Sequence, residues 1–204
     1  MKTLYLLFFA LLITACGSKQ TTPVPATLAP SPEKGLAIGT ITFEGDIPLN
    51  DIYRFFYEAT SGDKKFKKAN AGKIIISGRT DGKSMFNGDF NNKKSYLFII
   101  EREPGTYAFN KYAYLDHLGP SGSVSSSKEF AIPFEIKKGE ITYMGEMDYV
   151  DLIKKGDIRI FVADYYNRDL PEFKKKYPET DWDRAINRTP ATGNTADGLI
   201  DFRN

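Results

Sequence analysis

The sequence predicts an all-β fold: an antiparallel β-sandwich of about nine strands, followed by one or two short helices. Three observations carry this expectation. Between residues 36 and 163 the apolar side chains recur with period two, not with the 3.6 of a helix. Gly, Pro, Asn and Asp separate the runs at the short intervals of a sandwich or barrel. Fifteen Phe and twelve Tyr supply large rings, which favour strands and bury much area each.

The strands come in order. Residues 37–44 (AIGTITFE) set Ile41 and Phe43 against Thr40 and Thr42. Residues 52–59 (IYRFFYEA) put Tyr53, Phe55 and Tyr57 on one face. Residues 73–77 hold three consecutive isoleucines, the pattern of a strand buried on both sides. Asp81-Gly82 reads as a tight turn into 84–90. Residues 95–102 (SYLFIIER) form another buried strand. Pro104-Gly105 turns the chain into 106–115. Phe130, Ile132, Phe134 and Ile136 keep strict alternation. Lys137-Lys138-Gly139 leads into 140–147, where Gly145 marks a bulge or a close backbone approach. Residues 157–163 (DIRIFVA) are the last expected strand.

Helical signals come afterwards. Asp169-Leu170-Pro171-Glu172 has the form of a capping box, with Asp169 as N-cap and Pro171 early in the first turn. Phe173 and Tyr177 stand four apart and are expected on the sheet edge. Lys174, Lys175 and Lys176 suit the C-terminal end of the helix dipole. Pro178 ends the helix. Thr180-Asp181-Trp182-Asp183 reads as a second start, with Trp182 and Ile186 facing inward. Residues 187–204 are polar and aperiodic and are expected to form a flexible tail.

The first residues read differently. Met1-Lys2 is a short positive start. Residues 4–13 (LYLLFFALLI) are an apolar run of ten, short of the roughly 20 that cross a bilayer. Ile13-Thr14-Ala15-Cys16 then resembles the lipobox of bacterial lipoproteins. That resemblance implies cleavage before Cys16, a diacylglyceryl group on its sulfur and an acyl chain such as palmitate on its amine. Two or more chains give stable membrane attachment. Gly17-Ser18, with no Asp after the cysteine, favours the outer over the inner membrane. Residues 17–35 (GSKQTTPVPATLAPSPEKG) hold four prolines and few apolar side chains, the composition of an extended tether. The expected organisation is a lipoprotein signal peptide at 1–15, lipidated Cys16 and tether at 16–35, and sandwich at 36–163. A helical segment packed on it at 164–186 and the tail at 187–204 complete the chain.

Two further stretches carry a family resemblance. Pro104-Gly105-Thr106-Tyr107 and residues 134–145 (FEIKKGEITYMG), with residues 164–178 after them, are similar to bacterial lipoproteins bearing a transthyretin-like or carboxypeptidase-regulatory-like sandwich. The resemblance covers roughly residues 95 to 178. It implies a fold and brings no catalytic residues with it.

Composition narrows the chemistry. The formal charge is +2, from 28 basic and 26 acidic residues, which is too balanced for nucleic acid to be a partner. A single cysteine excludes an internal disulfide and a multi-thiolate zinc site. His117 is the only histidine. It adjoins Asp116 and a serine-rich loop, so Ser121 or Ser123 completes a triad on paper, but no nucleophile elbow surrounds them. Asp81, Asp89, Glu101, Glu103, Asp148, Asp151, Asp157 and Asp164 are scattered, with no spacing that points to a glycosidase pair. Residues 194–201 (NTADGLID) offer oxygens without the regular alternation of a calcium loop. Lys64, Lys65, Lys67 and Lys68 cluster in what reads as a loop, suited to anionic headgroups or glycans. Tyr107, Tyr112, Tyr114, Tyr165 and Tyr166 form a sugar platform if they share a surface. No catalytic, cofactor or metal residue is assigned, and oligomeric state stays open. Three functions are expected in descending order. They are a non-catalytic envelope module that binds another protein, a glycan or small-ligand binder, and an envelope hydrolase acting through His117.

Overall fold

The computed structural model describes residues 29–80, 82–118, 121–154 and 156–203; Cys16 and the leader lie outside them. Among the described residues the strands are β1 (Gly35–Glu44), β2 (Ile52–Ala59), β3 (Gly72–Ser77), β4 (Arg79–Thr80), β5 (Lys83–Ser84), β6 (Ser95–Arg102) and β7 (Gly105–Leu118). They continue as β8 (Ser121–Ser126), β9 (Ile132–Ile136), β10 (Ile141–Val150), β11 (Ile160–Ala163), β12 (Ala185–Asn187) and β13 (Ile200–Arg203). Helices α1 (Lys64–Asn70) and α2 (Tyr166–Lys176), and a 3₁₀ turn at Trp182–Arg184, complete the set.

The fold is an all-β sandwich of two sheets, as the alternation predicts. Sheet A has the order β13-β11-β10-β1-β6, with β12 beside the start of β10. Sheet B has the order β3-β2-β7-β8, with β9 beside the start of β7. Sheet A is mixed, not wholly antiparallel: β1 runs parallel to β10, β12 to β10 and β13 to β11. Period two states which side chains share a face; it does not state which strand lies next door, so the parallel pairs carry no sequence signature.

The inner faces meet in an aromatic core. Tyr53, Phe55 and Tyr57 project inward from β2, as expected, and so do Phe130, Ile132, Phe134 and Ile136 on and before β9. The Tyr149 ring stands edge-on to Phe43, Phe55, Tyr53 and Tyr112 at 5.4–5.6 Å between centroids, a favoured arrangement for ring quadrupoles. Gly145 does mark a bulge. Its φ of +97° breaks the β1–β10 register between Ile38 and Thr40. A Cβ on the facing Gly39 would stand 2.5 Å from the Gly145 carbonyl oxygen, so both strands need glycine here. Past the bulge, β10 exchanges β12 for β11 as its neighbour.

Several expectations need correction. Of residues 84–90 only Ser84 lies in a strand, β5, and Phe90 makes an isolated bridge to Ser95. The serine-rich segment after His117 is no loop but β8, paired with β7. The Ile74-Ile75-Ile76 strand is not doubly buried: β3 is the edge of sheet B, and Ile75 is 56% exposed. Three β-branched residues in a row report strand propensity, and burial depends on what covers the outer side. Residues 64–70 form α1, capped by the Asp63 side chain, which accepts from Phe66 N at 2.7 Å. Ile186 is exposed, whereas Trp182 is buried. Residues 187–203 are not a loose tail. Arg188 N donates to Tyr143 O, the Asn194 backbone exchanges hydrogen bonds with Ala131, and β13 completes sheet A through its pairing with β11. The only warning was the short alternation of Ile200 and Phe202.

Candidate functional site

The outer face of sheet A divides into an apolar half and a polar half. On the apolar half, Leu36, Ile38, Ile141 and Tyr143 meet Phe173, Tyr177 and Trp182. Phe173 is completely buried, so α2 lies on the face of the sheet, inward of the expected edge. α2 also begins earlier than the capping box suggests, at Tyr166, whose N–H donates to Asp164 Oδ1 at 2.9 Å. Asp169 is therefore not an N-cap. It sits in the first turn with no exposure and points down at the sheet.

There it joins the polar half. Thr40 and Tyr143 donate to Asp169 Oδ2 at 2.6 and 2.7 Å, and Arg168 Nε donates to Asp169 Oδ1 at 2.7 Å. The other side of the Arg168 guanidinium binds Glu146, which also accepts from Thr42. Burial works against charge on Arg168, but hydrogen bonds from Glu146 and Asp169 outweigh it and keep the guanidinium protonated well beyond the ordinary range. Burial, with Asp169 beside it, raises the Tyr143 hydroxyl far above its usual value, so it acts only as a neutral donor. Each carboxylate here is answered by a cation and hydroxyls. The knot is suited to docking α2 and offers no free base.

One carboxyl of this face lies against other carboxylates. Asp148 Oδ1 is buried without a partner. Burial, and then the charges of Glu44 and Glu146, push Asp148 up to about 7, with Arg203 opposing them weakly. Arg203 itself lies 3.3 Å over the Phe161 ring. Thr40, Thr42, Glu146 and Asp148 were readable as the polar face of two strands, but not as a buried one.

The two ends of the sandwich differ. Residues 31–34 enter β1 at one end, where Ser31 N and Oγ donate to Glu101 Oε1 at 2.8 and 2.7 Å and Lys34 pairs with Glu101. At the opposite end the loop 45–51, the paired strands β4 and β5 with their flanks, and residues 151–154 and 156–159 come together. Asp151 ties two of them, accepting from Leu49 N, Asn50 Nδ2 and Tyr53 OH. Gly78 N donates to Asp51 O, and Met85 N to Gly78 O. This end exposes Leu152 (82%), Ile47 (62%), Leu49 (52%) and Met85 (47%). A cavity of about 470 Å³ opens beside them, lined by Tyr112, Lys128, Ile153, Lys154, Arg159 and Leu199 among others. Arg159 is fixed by Nη1 donating to Val150 O, while its Nε and the nearby Tyr149 hydroxyl are buried without partners.

The chain matches no protein-family model, no curated protein and no solved structure.

The residues singled out from the sequence do not converge. Cys16 and Asp81 lie outside the described residues, as do the side chains of His117 and Ser121. The His117 backbone pairs with Gly122, and Ser123 stands exposed opposite Asp116. Asp89 and Glu101 hold Leu97 N and Ser31, and Asp157 accepts from Lys154 N. Tyr107 and Tyr112 are buried under sheet B, while Tyr165 and Tyr166 lie on α2 beyond sheet A, so the tyrosines share no platform. In 194–201, Asn194 Oδ1 accepts from Ala196 N, and Asp197 pairs with Lys128. Among the described residues no group of three His, Cys, Asp or Glu is placed to hold a metal ion, and no helix is long and apolar enough to cross a membrane.

Proposed function

We propose that this chain is a lipid-anchored, non-catalytic module of the bacterial cell envelope, joined to the membrane through Cys16, that presents its sandwich to a protein partner. The observation that supports this reading best is the opposition of the two ends. The segment leading back to Cys16 enters at Gly35, and the apolar loops with Ile47, Leu49, Met85 and Leu152 stand where β1 and β10 finish. An anchored domain meets other envelope components at the end facing away from its bilayer. Four large apolar side chains gathered there are what a protein contact uses.

Two measurements test it. Mass spectrometry of the cell-made product should find an acylated Cys16 as the first residue; a free thiol or an attached leader overturns the anchor. A photo-crosslinker at Leu152 in intact cells should capture a discrete adduct that Leu49→Glu removes. Equal capture from a crosslinker at Val124, on the side of sheet B, overturns the assignment of the contact surface.

A second reading is favoured by the cavity. Arg159 and Lys154 beside an apolar floor, with Lys128 already paired to Asp197 and Asp157 held by Lys154 N, suit a small ligand that joins an anionic group to an apolar body. Chemical-shift mapping with phenylacetate as a probe should move residues 153–159 and 196–199; shifts spread over the whole surface count against it.

A further inference from the structure

We propose that α1 and the adjoining corner of sheet B form a basic surface that contacts anionic phospholipid headgroups, an inference that rests on the lipid-anchor reading and adds an orientation to it. α1 carries Lys64, Lys65, Lys67 and Lys68, all exposed. Among the described residues none of the four forms an ion pair, and neither do Lys73 and Lys111 on sheet B. The helix is held firmly under its four lysines. Phe66 packs on the core, Asn70 is 3% exposed, and the Asp63 carboxylate is spent on the N-cap. Four like charges fixed on seven residues repel one another, and an anionic partner relieves that repulsion.

Position decides which partner. Glu101 binds residues 31–34, and the next two residues bind α1: Arg102 Nε donates to Asn70 O at 3.4 Å, and Glu103 N to Asn70 Oδ1 at 3.3 Å. The segment running back toward Cys16 and the lysine helix are therefore fastened to one three-residue stretch of β6 and its exit. The chain toward Cys16 therefore leaves the sandwich at the end that carries α1, which brings the lysines within reach of a bilayer held through the tether. The basic surface continues onto sheet B, where Lys73 and Lys111 lie 5.9 Å from the Phe56 ring, one on each neighbouring strand. Exposed Ile75 stands beside them on β3. Cations interleaved with a ring and an aliphatic side chain suit a headgroup layer, where phosphate meets hydrocarbon. Glu58, Asp63, Glu101 and Glu103 are the carboxylates of this corner, with Asp63 engaged at the α1 cap and Glu101 by Ser31 and Lys34, against six lysines.

The test uses the full acylated chain, reconstituted in vesicles. Its one cysteine is taken up by lipid, so Ala69→Cys supplies a single labelling site on α1. A dye there should be quenched by headgroup-labelled lipid in phosphatidylcholine vesicles containing 30% phosphatidylglycerol and at least roughly fivefold less in phosphatidylcholine alone, the factor that about one lysine's attraction sets. Raising salt to 0.5 M, or replacing the four lysines with Gln, should reduce quenching equally while the chain still floats with the vesicles and melts at the same temperature. Quenching indifferent to lipid charge overturns the proposal and leaves the anchor standing. Quenching indifferent to lipid charge, joined in intact cells to a lysine-dependent crosslink from position 69 to an acidic protein, overturns it in favour of that partner. A chain that does not float with phosphatidylcholine vesicles overturns the anchor and, with it, the orientation argued from it.

Discussion

The outer face of sheet A is roofed by α2 and Trp182, whereas none of the described residues roofs the outer face of sheet B. β1 consequently buries nine of its ten residues, while β2 alternates buried and half-buried side chains and β3 leaves Ile75 in solvent. The same strand grammar thus yields two surfaces of different kind. On sheet A, apolar residues beside a satisfied polar knot make a second core. On sheet B, Arg54, Phe56, Lys73 and Lys111 remain available to a partner. The difference originates in the chain after β11: residues 164–186 supply a lid to one sheet and nothing to the other.

Deleting rings tests this contrast most severely. Phe173→Ala should cost about 3 kcal/mol in urea unfolding, in the range for a fully buried ring, while Phe56→Ala costs less than about 1 kcal/mol. Equal costs would mean that sheet A's roof is not a second core. Asp169→Ala should come next, at about 2 kcal/mol, because it leaves the buried Tyr143 hydroxyl without its acceptor and takes one of two partners from Arg168 and Thr40. A loss no greater than that of the exposed Asp183→Ala would show the knot to be dispensable. Gly145→Ala should cost roughly 1–2 kcal/mol, since φ of +97° is strained for alanine and its Cβ would stand 2.7 Å from Thr189 Cγ2. An unchanged melting temperature would remove the bulge from the account.

The smallest effect is a pH dependence. Folding raises the Asp148 carboxyl from an ordinary 3.8 to about 7. Between those values the folded chain holds a proton that the unfolded chain has released, so rising pH favours unfolding across that window. Asp148→Asn should leave stability unchanged near pH 4 and gain on the wild type up to pH 7. The gain is less than about 1 kcal/mol once solvent screening of this part-exposed group is allowed for. A gain that is flat with pH would point to packing instead.

Legibility in the sequence was limited to features that alternation can encode. Phe130 to Ile136 and Tyr53 to Tyr57 were legible because one face is wet or half-wet and the other dry. The isoleucine run failed because propensity does not report cover. Asp169 failed because a capping signal and a buried anchor use the same residue type, and only the register of α2 over Thr40 separates them. The loop cluster around Leu152 was not legible at all: its members come from three separate turns, and only strand direction brings them to one end. The lysine run was seen as charge, but its fixed backbone and its place beside residues 31–34 are matters of tertiary structure.

The parallel pairing of β1 with β10 sets an order of events for a chain synthesised from its N-terminus. Leu36 finds its partner Ile141 only after more than a hundred intervening residues have emerged, and the sheet edge waits for Ile200. Until then the strand that ends up most buried has half its ladder open, so nascent chains need shielding against aggregation, and completion of the sandwich should be slow and late rather than progressive.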